Sequence, residues 1–476
     1  MTDAVHPAGA GPLPTASALA AGFADGSADP VAAAERSLAA VAAHDPAVNA
    51  MTQVFAEEAL EAARVSADRW ASGRPLSPVD GVPVTVKDLF LTRGRPTLRG
   101  STLVDPAGPW DEDAPAVARL QESGAVVLGK TTTPEFAWKG VTDSVLAGST
   151  GNPWGAHLTA GGSSGGSAAA VGLGMGAWSI GTDGGGSVRI PAAFTGTVAI
   201  KPTFGLVPIH PPSPYGTLSH AGPMTRTVRD AALLLDVLTG FDARDWFALP
   251  RPTGSFLDGL DDGVAGLRVA FSPTLAGTGV NDPEVEAAVR AAVEVLAGLG
   301  AEVEEVDPEV GEVRDAFETL WFTGAGKVVE PYGADALDRI DPLLAEHVRR
   351  HAGDTASDYL GAVDIRMRLG ATMGRFHERY DLLLTPTMPI AAFARDRDAP
   401  AGWPEDLWTS WTPYTYPFNL TGQPALSVPC GFTGAGLPVG LQVVGARHAD
   451  RLVLRAGHAY EAATDWSART PSVLGP

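Results

Sequence analysis

The sequence predicts an α/β protein: one large domain, residues 1–476, with a central mixed β-sheet covered by helices on both faces. Two observations predict this class. Helix-forming segments alternate with short apolar strands along most of the chain, which is typical of a sheet that lies between helices. Residues 281–308 contain a helix and a strand that follow another strand-like segment, "GLRVAF", and together they predict a βαβ unit. No internal repeat or obvious linker divides the chain.

The N-terminal part of the chain is expected to begin with helices. Residues 28–71 are rich in alanine, a strong helix former, and a break near "HDPAVN" predicts two helices. Valines alternate with other residues in "DGVPVTVKDLF", residues 80–90, which predicts a short strand ending near Lys87. Residues 115–132 predict a helix that stops at Gly124 and is followed by a strand.

The alternation continues to the C-terminal part of the chain. "AWSIGTD" and "GTVAIKPT" predict strands, and "YDLLLTPTMPI", "ALSVPCGF" and "LPVGLQVVG" predict the last ones. In the βαβ unit, Asn281 or Asp282 can cap the helix, Pro283 suits its first turn and Gly300 ends it. Residues 310–372 are expected to be helical and to form a cap over the site.

Composition limits the partners. The chain has 34 basic and 55 acidic residues and a formal net charge of −21, which argues against binding nucleic-acid phosphates. A small-molecule substrate is expected, and the protein is expected to be a monomer or a homodimer. The N-terminus lacks the basic segment of a signal peptide, and no apolar run is long enough for a membrane span, so a cytoplasmic protein is expected. The single cysteine, Cys430, excludes an intrachain disulfide and a cysteine-based zinc site.

The stretch "AGGSSGGSAAAVG", residues 160–172, has two interpretations at first sight. A Gly/Ser run is usually a flexible linker, but this one passes directly into a helix-forming alanine run. "GGSSG" also matches the nucleophile elbow G-x-S-x-G, which would make Ser163 a nucleophile. That elbow needs a strand before it, and the preceding "GNPWGAHLTA" has the composition of a loop. A phosphate-binding loop is not expected, because no Lys-Ser or Lys-Thr pair follows the glycines.

A second glycine cluster, "GTDGGGSVRIP" at residues 181–191, offers a better context for a nucleophile. Gly184, Gly185 and Gly186 let the backbone approach a ligand closely. Their N–H groups, with that of Ser187, can point into one concavity and stabilise an oxyanion. A serine hydroxyl also needs a base, and a buried lysine that loses its charge can supply one. Lys87, at the end of the predicted strand, is the candidate base. The alternative interpretations are a structural turn with a solvated serine for "GGGS" and a salt-bridged or snorkelling side chain for Lys87.

These motifs together resemble the amidase signature family of serine hydrolases. Further agreement is found in "LGKTTTPEFA", "KPTFGLVP", "GPMTRTVRDAALLLDVLTG" and "PFNLTGQPALSVPCGF", so the resemblance spans most of the chain. It implies the fold of that family and a Lys–Ser–Ser triad without metal or cofactor. By position, Lys87 is the base, Ser163 the bridging serine after a cis peptide bond, and Ser187 the nucleophile. Ser164 supports the triad, and the resemblance implies an ion pair between Asp183 and Arg189 that orients the loop.

The resemblance does not fix the substrate. Family members cleave aliphatic, aryl, fatty and peptide amides as well as carbamates, and one class hydrolyses glutamine within a tRNA-dependent amidotransferase assembly. That class typically carries an acidic residue seven positions before an asparagine that corresponds to Asn419, where this chain has Thr412. Several aromatic residues could line a hydrophobic pocket suited to an aryl amide, an aryl carbamate (urethane) or an ester, although core packing would explain most of them: Phe136, Trp138, Tyr215, Trp321, Phe322, Trp408, Trp411 and Tyr414.

Overall fold

The computed structural model describes residues 13–333, 335–469, 471 and 473, with the side chain of Ser467 left aside. Part of the N-terminal segment in which no signal peptide is expected, residues 1–12, lies outside the described residues. The strands are β1 Met51–Val54, β2 Pro83–Lys87, β3 Val126–Thr131, β4 Asp143–Ser144, β5 Gly148–Ser149, β6 Gly151–Asn152, β7 Gly155–Thr159, β8 Trp178–Asp183, β9 Val198–Lys201, β10 His220–Thr225, β11 Arg268–Phe271, β12 Glu302–Glu305, β13 Leu382–Pro386, β14 Ala425–Phe432 and β15 Pro438–Gly445.

Helices occupy much of the rest of the described chain. They are α1 Ala16–Asp25, α2 Pro30–Val48, α3 Ala56–Ala71, α4 Pro115–Glu122, α5 Gly165–Gly172, α6 Arg189–Thr195, α7 Val228–Leu238, α8 Pro283–Gly298, α9 Arg314–Val329, α10 Pro342–His351, α11 Ala356–Arg379, α12 Pro417–Thr421 and α13 Asp450–Ala462. No helix within the described residues combines the length and the apolar character needed to cross a membrane.

Eleven strands form one mixed sheet in the order β1-β3-β2-β8-β10-β9-β14-β15-β13-β11-β12, counted over the described residues. Strand β2 runs parallel to β3 and β8, and β11 runs parallel to β12 and β13, whereas the other neighbours are antiparallel. The predicted single α/β domain with a mixed sheet is therefore confirmed.

Helices cover both faces of this sheet, as predicted. Successive residues of a strand point to opposite faces. In β13, Leu384 packs into one core with α1, α4, α7, α8 and α13, whereas Leu383 packs into a second core with α6, α9, α10 and α11. In β15, Val443 packs into the first of these cores and Val444 packs into the second. The sheet thus separates two hydrophobic layers.

The local predictions agree with the structure in most elements. The side chain of Asp282 caps α8, Pro283 is its first residue, and β11 and β12 flank it in parallel. The predicted break near "HDPAVN" is confirmed: α2 continues through Pro46, ends at Val48 and is capped by Asn49, which adopts a left-handed conformation with φ of 52°. Strands β1 and β10 and the short strands β4–β7 were not expected. The loop predicted for "GNPWGAHLTA" is wrong, because β6 and β7 pair there as an antiparallel hairpin around Pro153 and Trp154. The described part of residues 310–372 is helical, as predicted.

Candidate active site

Strands β2 and β8 bring the first polar groups of the site together. They are parallel neighbours in register, with Val86 beside Ile180, so their carboxyl ends lie at the same edge of the sheet. Lys87 is the last residue of β2, and Thr182 and Asp183 are the last residues of β8. The side chains of Lys87 and Asp183 are completely buried there.

The two glycine-serine segments meet at this edge. The peptide bond between Gly162 and Ser163 is cis, as the family resemblance implied. Ser164 precedes the first residue of α5, and its backbone N–H donates to the carbonyl oxygen of Ser187 at 3.1 Å. A Cβ atom at Gly162 would lie 2.8 Å from the backbone nitrogen of Val141, so the close approach requires glycine. Residues 160–172 therefore form a fixed part of the site and not a linker.

The amine of Lys87 contacts three hydroxyl groups. Its Nζ lies 2.7 Å from Ser163 Oγ, 2.9 Å from Ser164 Oγ and 2.9 Å from Thr182 Oγ1. No carboxylate within the described residues forms an ion pair with it. Asp88, the next residue along the chain, instead pairs with Lys130 at 2.8 Å. Lys87 therefore has no salt-bridge partner among the described residues, which disfavours the interpretation as a salt-bridged side chain.

Burial lowers the pKa of Lys87 well below its ordinary value, and the more distant charge of Asp183 opposes this shift only in part. Desolvation disfavours the ammonium form, because hydroxyl groups replace water incompletely as partners for a full charge. A neutral amine can donate two hydrogen bonds and accept one, which matches three hydroxyl neighbours. The geometry therefore suits an amine that accepts a proton from one of these hydroxyls.

The loop after β8 is held by a buried ion pair. Arg189 and Asp183 are both fully buried, and their side chains form two hydrogen bonds of 2.9 Å. The remaining guanidinium N–H groups donate to Thr415 O, Gln442 Oε1 and Asn419 Oδ1 at 2.7–2.9 Å. Although burial acts to raise the pKa of Asp183, the charge and hydrogen bonds of Arg189 hold it below the ordinary value. This is the ion pair that the resemblance implied.

One expected oxyanion donor is engaged elsewhere. The N–H of Gly186 donates to Asp183 Oδ1 at 2.8 Å, so it faces the buried ion pair and not the cavity, contrary to the expectation for this residue. The carboxylate attracts this amide because it lies three residues earlier in a tight turn. The amides of Gly184, Gly185 and Ser187 donate no hydrogen bond within the described residues, and Gly184 and Ser187 line the adjacent cavity.

The cavity in front of Ser163 and Ser187 is walled by aromatic side chains. Both serines and Thr182 line it, although no hydrogen bond joins the two serine hydroxyls in the described structure. Tyr215 and Trp321 stack with ring centroids 3.9 Å apart and an interplanar angle of 15°. The Tyr215 hydroxyl donates to Phe136 O at 3.2 Å, so hydrogen bonding and stacking fix the wall before a ligand enters.

The aromatic residues named from the sequence divide between wall and core. Three of them line the cavity: Phe136, Tyr215 and Trp321. The other five do not line it and pack in the core with at most 3% exposure: Trp138, Phe322, Trp408, Trp411 and Tyr414. Thr412 is also completely buried, and its hydroxyl donates to Trp408 O at 3.1 Å.

Sequence reasoning missed three groups that complete the site. Thr182 contacts the amine of Lys87, and the only available signal was its place two residues before the glycine cluster. Thr415 and Gln442 accept hydrogen bonds from Arg189, but they lie more than 220 residues away along the chain. Nothing in the local sequence connects them to this loop. Within the described residues, no group of three His, Cys, Asp or Glu side chains is arranged to hold a metal ion.

The chain is similar in sequence and in structure to several known proteins. The family model described as Amidase matches residues 32–454. An acylamidase of Rhodococcus erythropolis is 37% identical over 96% of this chain and 97% of its own length. A glutamyl-tRNA(Gln) amidotransferase subunit of Chloroflexus aggregans is 36% identical over 96% of this chain and 98% of its own length. The crystal structure of a bacterial aryl acylamidase superposes with a TM-score of 0.91 at 30% identity, covering 98% of this chain and 99% of that chain.

Proposed function

Because the chain belongs to the amidase signature family of amide-hydrolysing enzymes, we propose that it cleaves a hydrophobic or aryl amide through a Ser187 acyl-enzyme. Lys87 is the base, Ser163 relays the proton and Ser187 is the nucleophile. The observation that carries this proposal is the buried amine of Lys87, which lies 2.7 Å from Ser163 Oγ, while Ser163 and Ser187 both line the aromatic cavity.

In the acylation step, neutral Lys87 takes the proton of Ser163, and Ser163 takes the proton of Ser187. The oxygen of Ser187 bonds to the amide carbon, and the carbonyl electron pair moves onto oxygen. The amides of Gly184, Gly185 and Ser187 are the proposed donors to this oxyanion. Gly186 is left out, because its N–H is bonded to Asp183.

The tetrahedral intermediate then collapses. The C–N bond breaks, Ser163 donates its proton to the departing nitrogen, and Lys87 returns a proton to Ser163, which restores the neutral amine. Water attacks the acyl-enzyme through the same relay and releases the acid, with Ser187 protonated again. The hydroxyl pair that relays the proton is not hydrogen-bonded before substrate binds, and such bonds often shorten only in the complex.

The wall of the cavity supports a flat, apolar group next to the scissile bond. Trp321 and Tyr215 present stacked rings, and both are nearly completely buried, so they cannot turn aside easily. Trp321 belongs to α9, and we propose that α9–α11 form the cap over the site that residues 310–372 were expected to supply. An aryl carbamate or an aryl ester presents the same carbonyl to Ser187, so both are secondary substrates of the proposed enzyme.

Glutamine hydrolysis within an amidotransferase assembly is the second candidate function. The relative from Chloroflexus aggregans favours it, since it covers 96% of this chain at 36% identity. Two features disfavour it. Thr412 stands where members of that class typically carry an acidic residue, and the formal charge of −21 repels tRNA phosphates. Ammonia release from glutamine, compared with amine release from anilides, separates the two candidates.

A covalent labelling experiment tests the proposed nucleophile. An aryl sulfonyl fluoride should attach to Ser187, as located by peptide mass spectrometry, and should stop the release of 4-nitroaniline from chromogenic anilides. Ser187→Ala should lose label and at least about a thousandfold in kcat, because the alcohol that forms the acyl-enzyme is gone. Ser72→Ala, an exposed position at the end of α3, is the matched control and should retain both. Label on Ser163 in the native protein would contradict the assignment.

A further inference from the structure

The wall of the aromatic cavity carries one positive charge that no carboxylate offsets. Arg99 lines this cavity and is half-buried, and within the described residues its guanidinium forms no ion pair and donates no hydrogen bond. His210 also lines the cavity, but its Nε2 lies 3.3 Å from Glu112. Arg99 is therefore the cation on this wall that remains free to meet a ligand.

The surroundings of Arg99 leave its charge uncompensated. Asp88 accepts the backbone N–H groups of Leu98 and Arg99 at 3.1 Å, but this carboxylate forms a 2.8 Å ion pair with Lys130. The charge of Asp88 is thus balanced by Lys130, and the Arg99 guanidinium adds a further positive charge. In a protein of formal net charge −21, an unpaired arginine at the cavity is an attractive point for an anion.

The backbone at Arg99 is held in an uncommon conformation. Its φ of 57° lies in the left-handed region, which residues other than glycine seldom adopt. Two hydrogen bonds hold it there: its N–H donates to Asp88 Oδ2, and its carbonyl accepts the N–H of Phe136 at 2.7 Å. Phe136 is itself part of the aromatic wall. The arginine is thus fixed relative to the rings, and a local arrangement of this kind is often kept for a ligand.

We infer that Arg99 binds a carboxylate of the substrate, so that the preferred amide carries an anionic group as well as an apolar or aromatic one. This inference rests on the proposed function, because it names the substrate class of the same site. Guanidinium and carboxylate match in a planar, two-point hydrogen bond, which an ammonium cannot reproduce. Arg99 is in this view a specificity residue that touches the substrate away from the reacting carbonyl.

Two pairs of substrates of nearly equal shape test the inference. N-glutaryl-4-nitroanilide and N-pentanoyl-4-nitroanilide differ by a carboxylate in the acyl half. 4-Acetamidobenzoate and 4-methylacetanilide differ by a carboxylate in the amine half. The native enzyme should prefer the anionic member of at least one pair by about 10- to 100-fold in kcat/KM, mainly through a lower KM, as expected for one charge-assisted contact.

Substitutions at Arg99 test whether this side chain causes the preference for the anionic substrate. Arg99→Met should abolish the preference, because kcat/KM falls much more for the anionic member than for the neutral one, whereas Arg99→Lys should keep a smaller preference. Arg99→Asn removes the charge with a side chain that adopts left-handed φ readily, so it gives the same readout if the methionine variant folds poorly. Arg74→Met, at an exposed arginine outside the cavity, should change neither member.

Three results would overturn the inference: no preference in either pair for the native enzyme, a preference that survives in Arg99→Met and Arg99→Asn, or an equal loss on both members of a pair. The proposed function fails in a different way. If the native enzyme releases no amine from any of the four compounds and gains no label at Ser187, the amidase proposal is wrong. If it cleaves the neutral anilide without preferring the anionic one, only the role of Arg99 is wrong.

Discussion

Substitution of Arg189 should show how much of the protein's stability depends on the buried ion pair that holds the loop after β8. All five N–H groups of its guanidinium are matched by acceptors at 2.7–2.9 Å, and Asp183 accepts two of them. Arg189→Met leaves the Asp183 carboxylate buried without its counter-charge. Breaking one partner of a buried pair in this way costs about 3–5 kcal/mol, because the remaining charge has lost both water and its partner.

The sign of the pH dependence follows from the same pair. In the native protein the pKa of Asp183 lies below its unfolded value of about 3.9. Its stabilising contribution is therefore present above pH ~3.9 and lost as the pH falls through the folded pKa. Without Arg189, burial dominates and raises the folded pKa above the unfolded one, so the variant loses stability as the pH rises above ~3.9. The deficit should be larger at pH 8 than at pH 5.

Urea unfolding followed by tryptophan fluorescence measures this deficit. Arg189→Met/Asp183→Asn should recover at least about 1 kcal/mol relative to Arg189→Met, because the unpaired charge is gone. Arg350→Met is the control: this arginine pairs with Glu346 at 3.1 Å on the exposed side of α10, and an exposed pair is worth less than about 1 kcal/mol. A loss below about 1 kcal/mol for Arg189→Met, or no recovery in the double variant, would refute the reasoning.

Two further predictions concern the base and the loop. The acylation rate should rise with pH and level off well below the ordinary lysine pKa of about 10.4, because burial favours the neutral, proton-accepting form of Lys87. Rapid-mixing kinetics should show that this rise of the acylation rate with pH is absent in Lys87→Ala and also in Lys87→Arg. An unchanged rise in either variant would exclude Lys87 as the base. Gly185→Ala should lower kcat at least tenfold and stability by about 1–3 kcal/mol, since its Cβ would meet the Trp408 ring and lie 2.8 Å from Phe317 Cζ. Gly374→Ala, in open space on α11, should instead be neutral or stabilising, and equal effects of the two substitutions in melting and turnover assays would contradict the steric argument.

Much of the fold could be predicted from the sequence, since helices and strands are signalled over a few residues. Alternating valines predict β2, and Asp282, Pro283 and Gly300 delimit α8 by capping and turn chemistry that acts within one helical turn. Strand β10 was missed because "HAGPMT" has little apolar alternation. It forms only because β8 and β9 supply antiparallel partners on either side.

The same division applies to the site. The sequence by itself predicted the chemical groups, because Lys87, Ser163 and Ser187 lie in motifs that together resemble those of the amidase signature family. Only the tertiary structure decided which groups meet: Thr182 beside Lys87, the Gly186 amide on Asp183, and three aromatic residues of eight at the cavity. Apart from Asp183, the acceptors that Arg189 contacts lie 226 to 253 residues away in the chain. Their meeting depends on packing across the whole sheet, and no local propensity encodes contacts at that separation.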